Sequence, residues 1–307
     1  MKHIFIINPK AGKGKATELI PFIYEFFKDK SEEFIIRLTE YPGHATEIAK
    51  EYSVSGDCRI YSVGGDGTVN EVVNGIAGTQ SSLGVIPAGS GNDFIRSIAN
   101  PSDIQADIRD ITIRTINGED KYIDLAKVND KYFINISSIG FDADVVFNAD
   151  KFKKVPGITG SMAYVISIIY TVLRKKISKV KLRIDDREMK LNLLLAAIAN
   201  GRFYGGGMLA APEAKIDDGL FDICLVGEAS RFMILRLFPM YIKGQHGKLA
   251  EVEFLRGKKI LIESEEELSL NIDGEIFSSS KIDFEIIEKG IKVILPKDAS
   301  ITQLRLH

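Results

Sequence analysis

Apolar residues along the chain follow two spacing patterns, one after the other. Over the first hundred residues, compact apolar runs alternate with stretches of helical spacing. His3–Ile7 reads as a strand and Ala16–Phe27 as a helix. Phe34–Leu38, Arg59–Val63 and Leu83–Ile86 read as further strands, separated by helices over Ala45–Tyr52 and Val69–Ala77. Strands alternating with helices at this interval predict a doubly wound parallel sheet, an α/β domain with helices on both faces. From about Thr112 the period becomes two. Val180, Leu182 and Ile184 alternate with Lys179, Lys181 and Arg183, and Asp185-Asp186 reads as a turn into the apolar run Leu191–Ile198. Leu268, Leu270 and Ile272 alternate with polar residues, followed by Ile282, Phe284 and Ile286, then Ile291, Val293 and Leu295. This pattern predicts an antiparallel β-sandwich, interrupted by helices near 161–175 and 230–243. The division is expected around 112–123, with Ile116–Asp120 as a hairpin turn. That gives a first domain over 1–122, a second over 123–296, and a tail, 297–307, that packs back on the first.

Composition adds limits. The chain has 307 residues, 45% hydrophobic and 27% charged, with a net charge of −2. A near-neutral balance gives no electrostatic footprint for nucleic acid. Cys58 and Cys224 sit in separate apolar runs, as expected of buried thiols in an intracellular protein, and the four histidines form no zinc-binding pattern. Val155–Leu173 carries no charge. Its glycines, proline and periodic polar positions predict a part-buried helix rather than a membrane span. No signal peptide is read at the N-terminus, so a soluble chain is expected.

The chemistry concentrates where parallel strands end, since ligands bind beyond the C-terminal strand edge of such sheets. Three of those ends run into glycine-rich loops: Asn8–Gly14, Gly64–Thr68 and Pro87–Asp93. Glycine lets backbone N–H groups approach phosphate oxygens, and a following helix N-terminus adds partial positive charge. Thr68 and Glu71 have the spacing of a capping box. Any one loop has an ordinary turn as its alternative; three on one edge point to a nucleotide triphosphate. None has the Walker A spacing.

GGDGTVNEVVNG (64–75) resembles the signature of the diacylglycerol kinase catalytic-domain family. NPKAGKG (8–14) and PAGSGNDFIR (87–96) resemble that family's other nucleotide loops, with Ser90 where threonine is commoner. NISSIGFD (135–142), Asn200–Asp222 and NIDGE (271–275) are similar to the pattern of its bacterial soluble lipid kinases, so the likeness covers essentially the whole chain. The resemblance implies a fold like that of NAD kinase and diacylglycerol kinase, an ATP donor with Mg2+, and a membrane lipid acceptor, diacylglycerol first among them. It assigns nucleotide binding to Asn8, Pro9, Gly12, Gly64, Gly65, Asp66, Gly67, Thr68, Glu71, Gly89, Ser90 and Asn92. It makes Asp273 the general base, with Asp66 and Glu275 beside it in catalysis. It places Asp93 and Asp124 in a metal and carboxylate network, and a structural metal on Asp218 with the carbonyls of Lys215 and Leu220.

Each assignment has a plainer alternative. Asp273-Gly274 is also a strong turn signal, Asp93 and Asp124 also suit helix caps or strand ends, and Asp217–Gly219 also suits an ion-free turn. A lipid kinase needs a docking surface, and eight basic residues against one acidic residue between Asp150 and Lys181 flank an uncharged helix; Arg231–Lys243, dense in Phe, Met and Leu, is a second candidate, and the plainer alternative for both is a helix that covers the open face of the sandwich. The expected location is the cytoplasm, peripheral at the inner face of the membrane, and the family likeness also raises a homodimer. The competing functions are a NAD kinase-like enzyme acting on a soluble dinucleotide and a non-catalytic lipid-binding regulator.

Overall fold

The computed structural model describes residues 1–54, 56–99, 107–152, 154–155 and 160–298. In the first half, β1 (Lys2–Ile7), α1 (Leu19–Phe27), β2 (Glu33–Leu38), α2 (His44–Ser53), β3 (Cys58–Gly64), α3 (Asp66–Ile76) and β4 (Ser82–Pro87) follow one another. The strands pair in parallel in the order β2-β1-β3-β4. β1 is a continuous apolar run because both its faces are covered. Phe5 and Ile7 pack with Leu19, Ile23 and Phe27 of α1, whereas Ile4 and Ile6 pack with Ile48 of α2 and Val72 and Val73 of α3. Regular helix begins at Leu19, later than the expected Ala16. Before it, Ala11–Glu18 form a tighter turn broken by positive φ at Gly12, Lys13 and Gly14.

A short α4 (Ile95–Ile98) and α5 (Ile108–Ile116) lead into β5 (Glu119–Val128). Residues 116–120 are therefore a helix-to-strand connection and not the expected hairpin turn. The helix wins because Asp107 caps it, accepting from Arg109 N at 2.7 Å, and because Ile111, Thr112, Thr115 and Ile116 fall on one buried stripe. Beyond the β5–β6 hairpin with β6 (Lys131–Phe133) come β7 (Ile136–Gly140), α6 (Phe141–Phe152) and α7 (Gly160–Leu173). Sequence periodicity had suggested α7 but not α6. β8 (Ser178–Ile184) and β9 (Arg187–Leu193) form the hairpin expected at Asp185-Asp186.

The apolar run 191–198 is not one strand. It breaks at Leu194, whose N–H turns to Val226 O, and continues as β10 (Leu195–Ala199) between different neighbours. β11 (Phe203–Tyr204), β12 (Met208–Leu209), β13 (Phe221–Val226), α8 (Arg231–Ile242) and β14 (Val252–Gly257) follow, and the long pair β15 (Lys259–Ile272) and β16 (Glu275–Leu295) closes the fold.

The result is a parallel α/β sheet joined to an antiparallel β-sandwich. Among the described residues, 14 strands form one hydrogen-bonded network. β16 joins the halves. Its first part pairs with β15, and its end lies parallel to β4. Ile291, Val293 and Leu295 are thus buried with the first core, while Ile282, Phe284 and Ile286 belong to the second. A boundary at 122/123 falls inside β5. Of the 297–307 tail, Lys297 lies against α5, donating its N–H to Arg114 O at 2.9 Å; residues 299–307 lie outside the described residues. Cys58 and Cys224 are buried and unbridged. Among the described residues, no helix is long and apolar enough to cross a membrane.

Candidate active site

The three glycine-rich loops meet at one edge of the parallel sheet. Asn8 N donates to Val63 O at 3.0 Å, and Ala88 N and Gly89 N donate to Gly64 O at 2.8 and 3.1 Å. A Cβ on Gly89 would overlap the backbone of Gly65, and one on Gly12 (φ +59) would overlap Ala88 O. The loops can approach this closely only because these positions carry no side chain. Asn92, at φ 51, closes its own loop by exchanging hydrogen bonds with Gly89, through its Oδ1 at 3.0 Å and its Nδ2 at 2.9 Å. Gly65 caps α3, so the helix begins at the loop and directs its N-terminal N–H groups there.

Thr68 and Glu71 do not form the expected capping box. Asn8 Nδ2 donates to the Thr68 hydroxyl at 3.2 Å. The Glu71 carboxylate accepts from Gly43 N at 2.9 Å and Ala45 N at 3.0 Å, so it caps α2 instead of its own helix. A hollow of about 210 Å³ lies beside these loops, lined by Asn8, Lys10, Thr39, Tyr41, Gly67, Thr68 and Glu71; Pro9 lies between the first two in sequence.

Next to the loops, a cavity of about 340 Å³ brings together residues far apart in the chain. Its lining carries the carboxylates of Asp66, Asp93 and Asp273 with Ser90, together with the apolar residues Phe94, Ile134, Ile136, Val146, Ala149 and Met208. Asp93 N donates to Asp66 Oδ1 at 2.7 Å. The Asp93 carboxylate accepts from Gly206 N at 2.8 and 3.1 Å and lies 3.8 Å from Arg96 Nε. Burial pushes Asp93 up to about 6 against these donors, and Asp66 adds to the rise.

Asp273 satisfies both of its sequence readings. With φ 45 and 100, Asp273 and Gly274 make the two-residue turn between β15 and β16, and Ile272 faces Glu275 across it. The Asp273 carboxylate nonetheless accepts from Ile134 N at 2.9 Å, Ile136 N at 3.0 Å and Asn70 Nδ2 at 3.3 Å. Burial pushes it, too, up to about 6, although all three donors favour the charged form. Glu275 is exposed at the start of β16, outside the cavity lining.

Several residues that support this cavity lie inside the sequence motifs, where the sequence alone gives them no role. Asn70 touches Asp273. Gly206, in a run of three glycines with positive φ, reaches Asp93 across 113 residues of sequence. The wholly buried Asp142 accepts from the Ser138 hydroxyl and from Tyr204 Oη at 2.6 Å, which holds the Tyr204 ring in the cavity wall. Burial raises the Asp142 carboxyl above the usual range. The positive-φ glycines were the one readable signal; the pairings depend on the tertiary fold.

Asp124 and the 215–220 segment are not part of this group. Asp124 is buried beneath that segment, accepting from Gly219 N at 2.6 Å and Lys289 N at 2.9 Å. Asp218 already meets a cation, Arg256 Nη2, at 2.7 Å, and the same guanidinium pairs with Asp222 at 3.0 Å. Asp218 Oδ1 accepts from Leu220 N at 3.3 Å, and Lys215 is exposed. Among the described residues, no three His, Cys, Asp or Glu side chains gather closely enough to hold a metal alone.

Glycine-rich loops at the edge of a parallel sheet, beside a cavity lined by carboxylates and apolar residues and joined to a β-sandwich, make the architecture of a two-domain kinase fold. Residues 2–128 match the model of the diacylglycerol kinase catalytic domain, and residues 135–295 match that of the YegS C-terminal NAD kinase beta sandwich-like domain. The chain belongs to the diacylglycerol kinase family. It is 32% identical to a diacylglycerol kinase of Staphylococcus epidermidis over 295 residues, covering 95% of this chain and 92% of that one. It is 29% identical to a diacylglycerol kinase of Bacillus subtilis over 301 residues, covering 97% and 98%. A solved structure from Bacillus anthracis str. Sterne superposes with a TM-score of 0.73 at 27% identity, over 96% of this chain and 97% of that one.

Proposed function

We propose that the protein transfers the γ-phosphate of ATP to the hydroxyl of diacylglycerol, giving phosphatidic acid, at the inner face of the membrane. The observation that carries this reading is the position of Asp273, a half-buried carboxylate in the lining of a largely apolar cavity beside the phosphate loops. On the donor side, backbone N–H groups of the three loops and the start of α3 would bind phosphate oxygens, with the 210 Å³ hollow beside them for the rest of the nucleotide. Magnesium, when bound, neutralises charge on the transferring phosphoryl group. It usually takes only one or two protein carboxylates together with phosphates, a donor set that Asp66, with Asp93 beside it, fits.

On the acceptor side, the apolar wall would hold the start of the lipid's chains and exclude water. Asp273 would accept the proton of the lipid hydroxyl as that oxygen bonds to the γ-phosphorus and ADP leaves. Ile134, Ile136 and Asn70 would keep the carboxylate oriented for this step. Glu275, exposed and outside the cavity lining, would take no part in this step. The largely apolar lining of the cavity favours a lipid over a soluble dinucleotide. Supplying labelled ATP and magnesium with diacylglycerol, phosphatidylglycerol, a sphingoid base or NAD, each separately, tests the reading. Label in phosphatidic acid is expected; label in NAD alone would overturn it.

A further inference from the structure

α7 is exposed along an apolar ridge. Met162, Val165, Ile169 and Leu173 follow the three- and four-residue helical repeat, with Ile169 53% and Leu173 64% exposed. α8 does the same with Phe232, 80% exposed, Leu235 and Ile242. Single exposed apolar residues are ordinary, but contiguous apolar stripes on adjoining helices mark an interaction site. The two helices meet, because Arg231 at the start of α8 donates to Val172 O and Leu173 O at the end of α7. Neither helix contains an acidic residue. Cations border the apolar surface: Lys151, Arg174, Arg236 and Lys243 are all exposed.

The inner faces of the same helix layer line the cavity, through Val146 and Ala149 of α6 and Tyr164 of α7. At about 340 Å³ the cavity is near the small end of ligand pockets, roughly 300–1,000 Å³. It has room for the glycerol and the first carbons of a lipid but not for two long acyl chains.

We propose that the outer faces of α7 and α8 form one docking surface for an anionic bilayer, into which Ile169, Leu173 and Phe232 insert while the flanking cations meet lipid phosphates. This deepens the lipid-kinase reading and rests on it for the acceptor, since the chains left outside the cavity stay in the bilayer. An apolar stripe bordered by cations complements an anionic interface, whereas a second copy of the chain would bring cations against cations.

The test is flotation of the full chain with phosphatidylcholine vesicles, with and without phosphatidylglycerol, alongside phosphoryl transfer to a short-chain diacylglycerol dissolved as monomers. Wild type is expected to float with anionic vesicles and to release as salt rises. Ile169→Glu with Leu173→Glu, and separately Phe232→Glu, should weaken vesicle binding about tenfold or more and leave transfer to the dissolved acceptor unchanged. Variants that float like wild type overturn the proposal. So does a wild-type dimer that the variants dissociate without any change in vesicle binding. If wild type floats, the variants do not, and neither acceptor is phosphorylated, the docking surface stands and the kinase reading fails.

Discussion

Asn70 donates its side-chain amide to the Asp273 carboxylate at 3.3 Å, although 203 residues separate them in sequence. Asn70 lies one turn into α3, the helix that begins at the Gly64–Thr68 loop. Its neighbour Asn74 pairs with both backbone groups of Tyr132, accepting from N and donating to O at 2.9 Å each. The helix that would face the phosphates therefore also fixes the segment whose amides hold Asp273.

Asn70→Ala should impair the chemical step more than nucleotide binding. Hydrogen bonds to charged groups contribute about 1.5–3 kcal/mol, so losing this one raises the Asp273 carboxyl by about one pH unit or more. The acid limb of kcat/KM should move upward accordingly, with KM for ATP little changed. A pH–rate profile identical to that of wild type would show that the contact does not act on Asp273.

The pH dependence of wild type follows from the same group. A base must be ionised, and burial holds Asp273 at about 6, so kcat/KM should be flat at alkaline pH and fall as pH drops through about 6. Asp93, also near 6, should steepen the fall. Stability runs the other way. A carboxyl whose folded value is raised above its unfolded one stabilises the fold when protonated, below about 4, and loses that contribution as pH rises through about 6. The melting temperature of Asp273→Asn relative to wild type should therefore increase between about pH 4 and pH 8; a constant difference would contradict the burial argument.

Two glycine substitutions separate packing from charge in the phosphate loops. Gly89→Ala puts a methyl group into the Gly65 backbone, so it should force the loops apart, lower stability by about 1–3 kcal/mol and weaken ATP binding. Gly65→Asp meets only Gly89 Cα, at 3.2 Å, so small adjustments accommodate its Cβ and its carboxylate should act by repelling phosphates. Calorimetric titration with ATP should show weakened binding in both, whereas thermal melting should show a large loss only in Gly89→Ala.

The sequence revealed what is encoded locally. Glycines at the ends of β1, β3 and β4 mark loops, and Asp273-Gly274 marks a turn, because those positions need backbone conformations few residues adopt. It did not reveal α5, because Ile116–Asp120 reads as a hairpin turn until Asp107 is seen to cap the helix before it. Nor did it show that Glu71 would leave its own helix to cap α2, or that Arg256 would meet Asp218. Those outcomes depend on which donor the folded chain brings near, information spread over residues far apart. The cavity's mixed lining was similarly hidden, since its charged and apolar residues come from both halves of the fold.

In the proposed reaction Asp273 takes the proton of a lipid hydroxyl. The most direct test pairs wild type with Asp273→Asn, measuring ATP binding by titration and formation of labelled phosphatidic acid from diacylglycerol in the same preparations. Nearly equal ATP affinity and a loss of transfer of about 100-fold or more are expected in the variant. Transfer at close to the wild-type rate from the variant would contradict that role for Asp273.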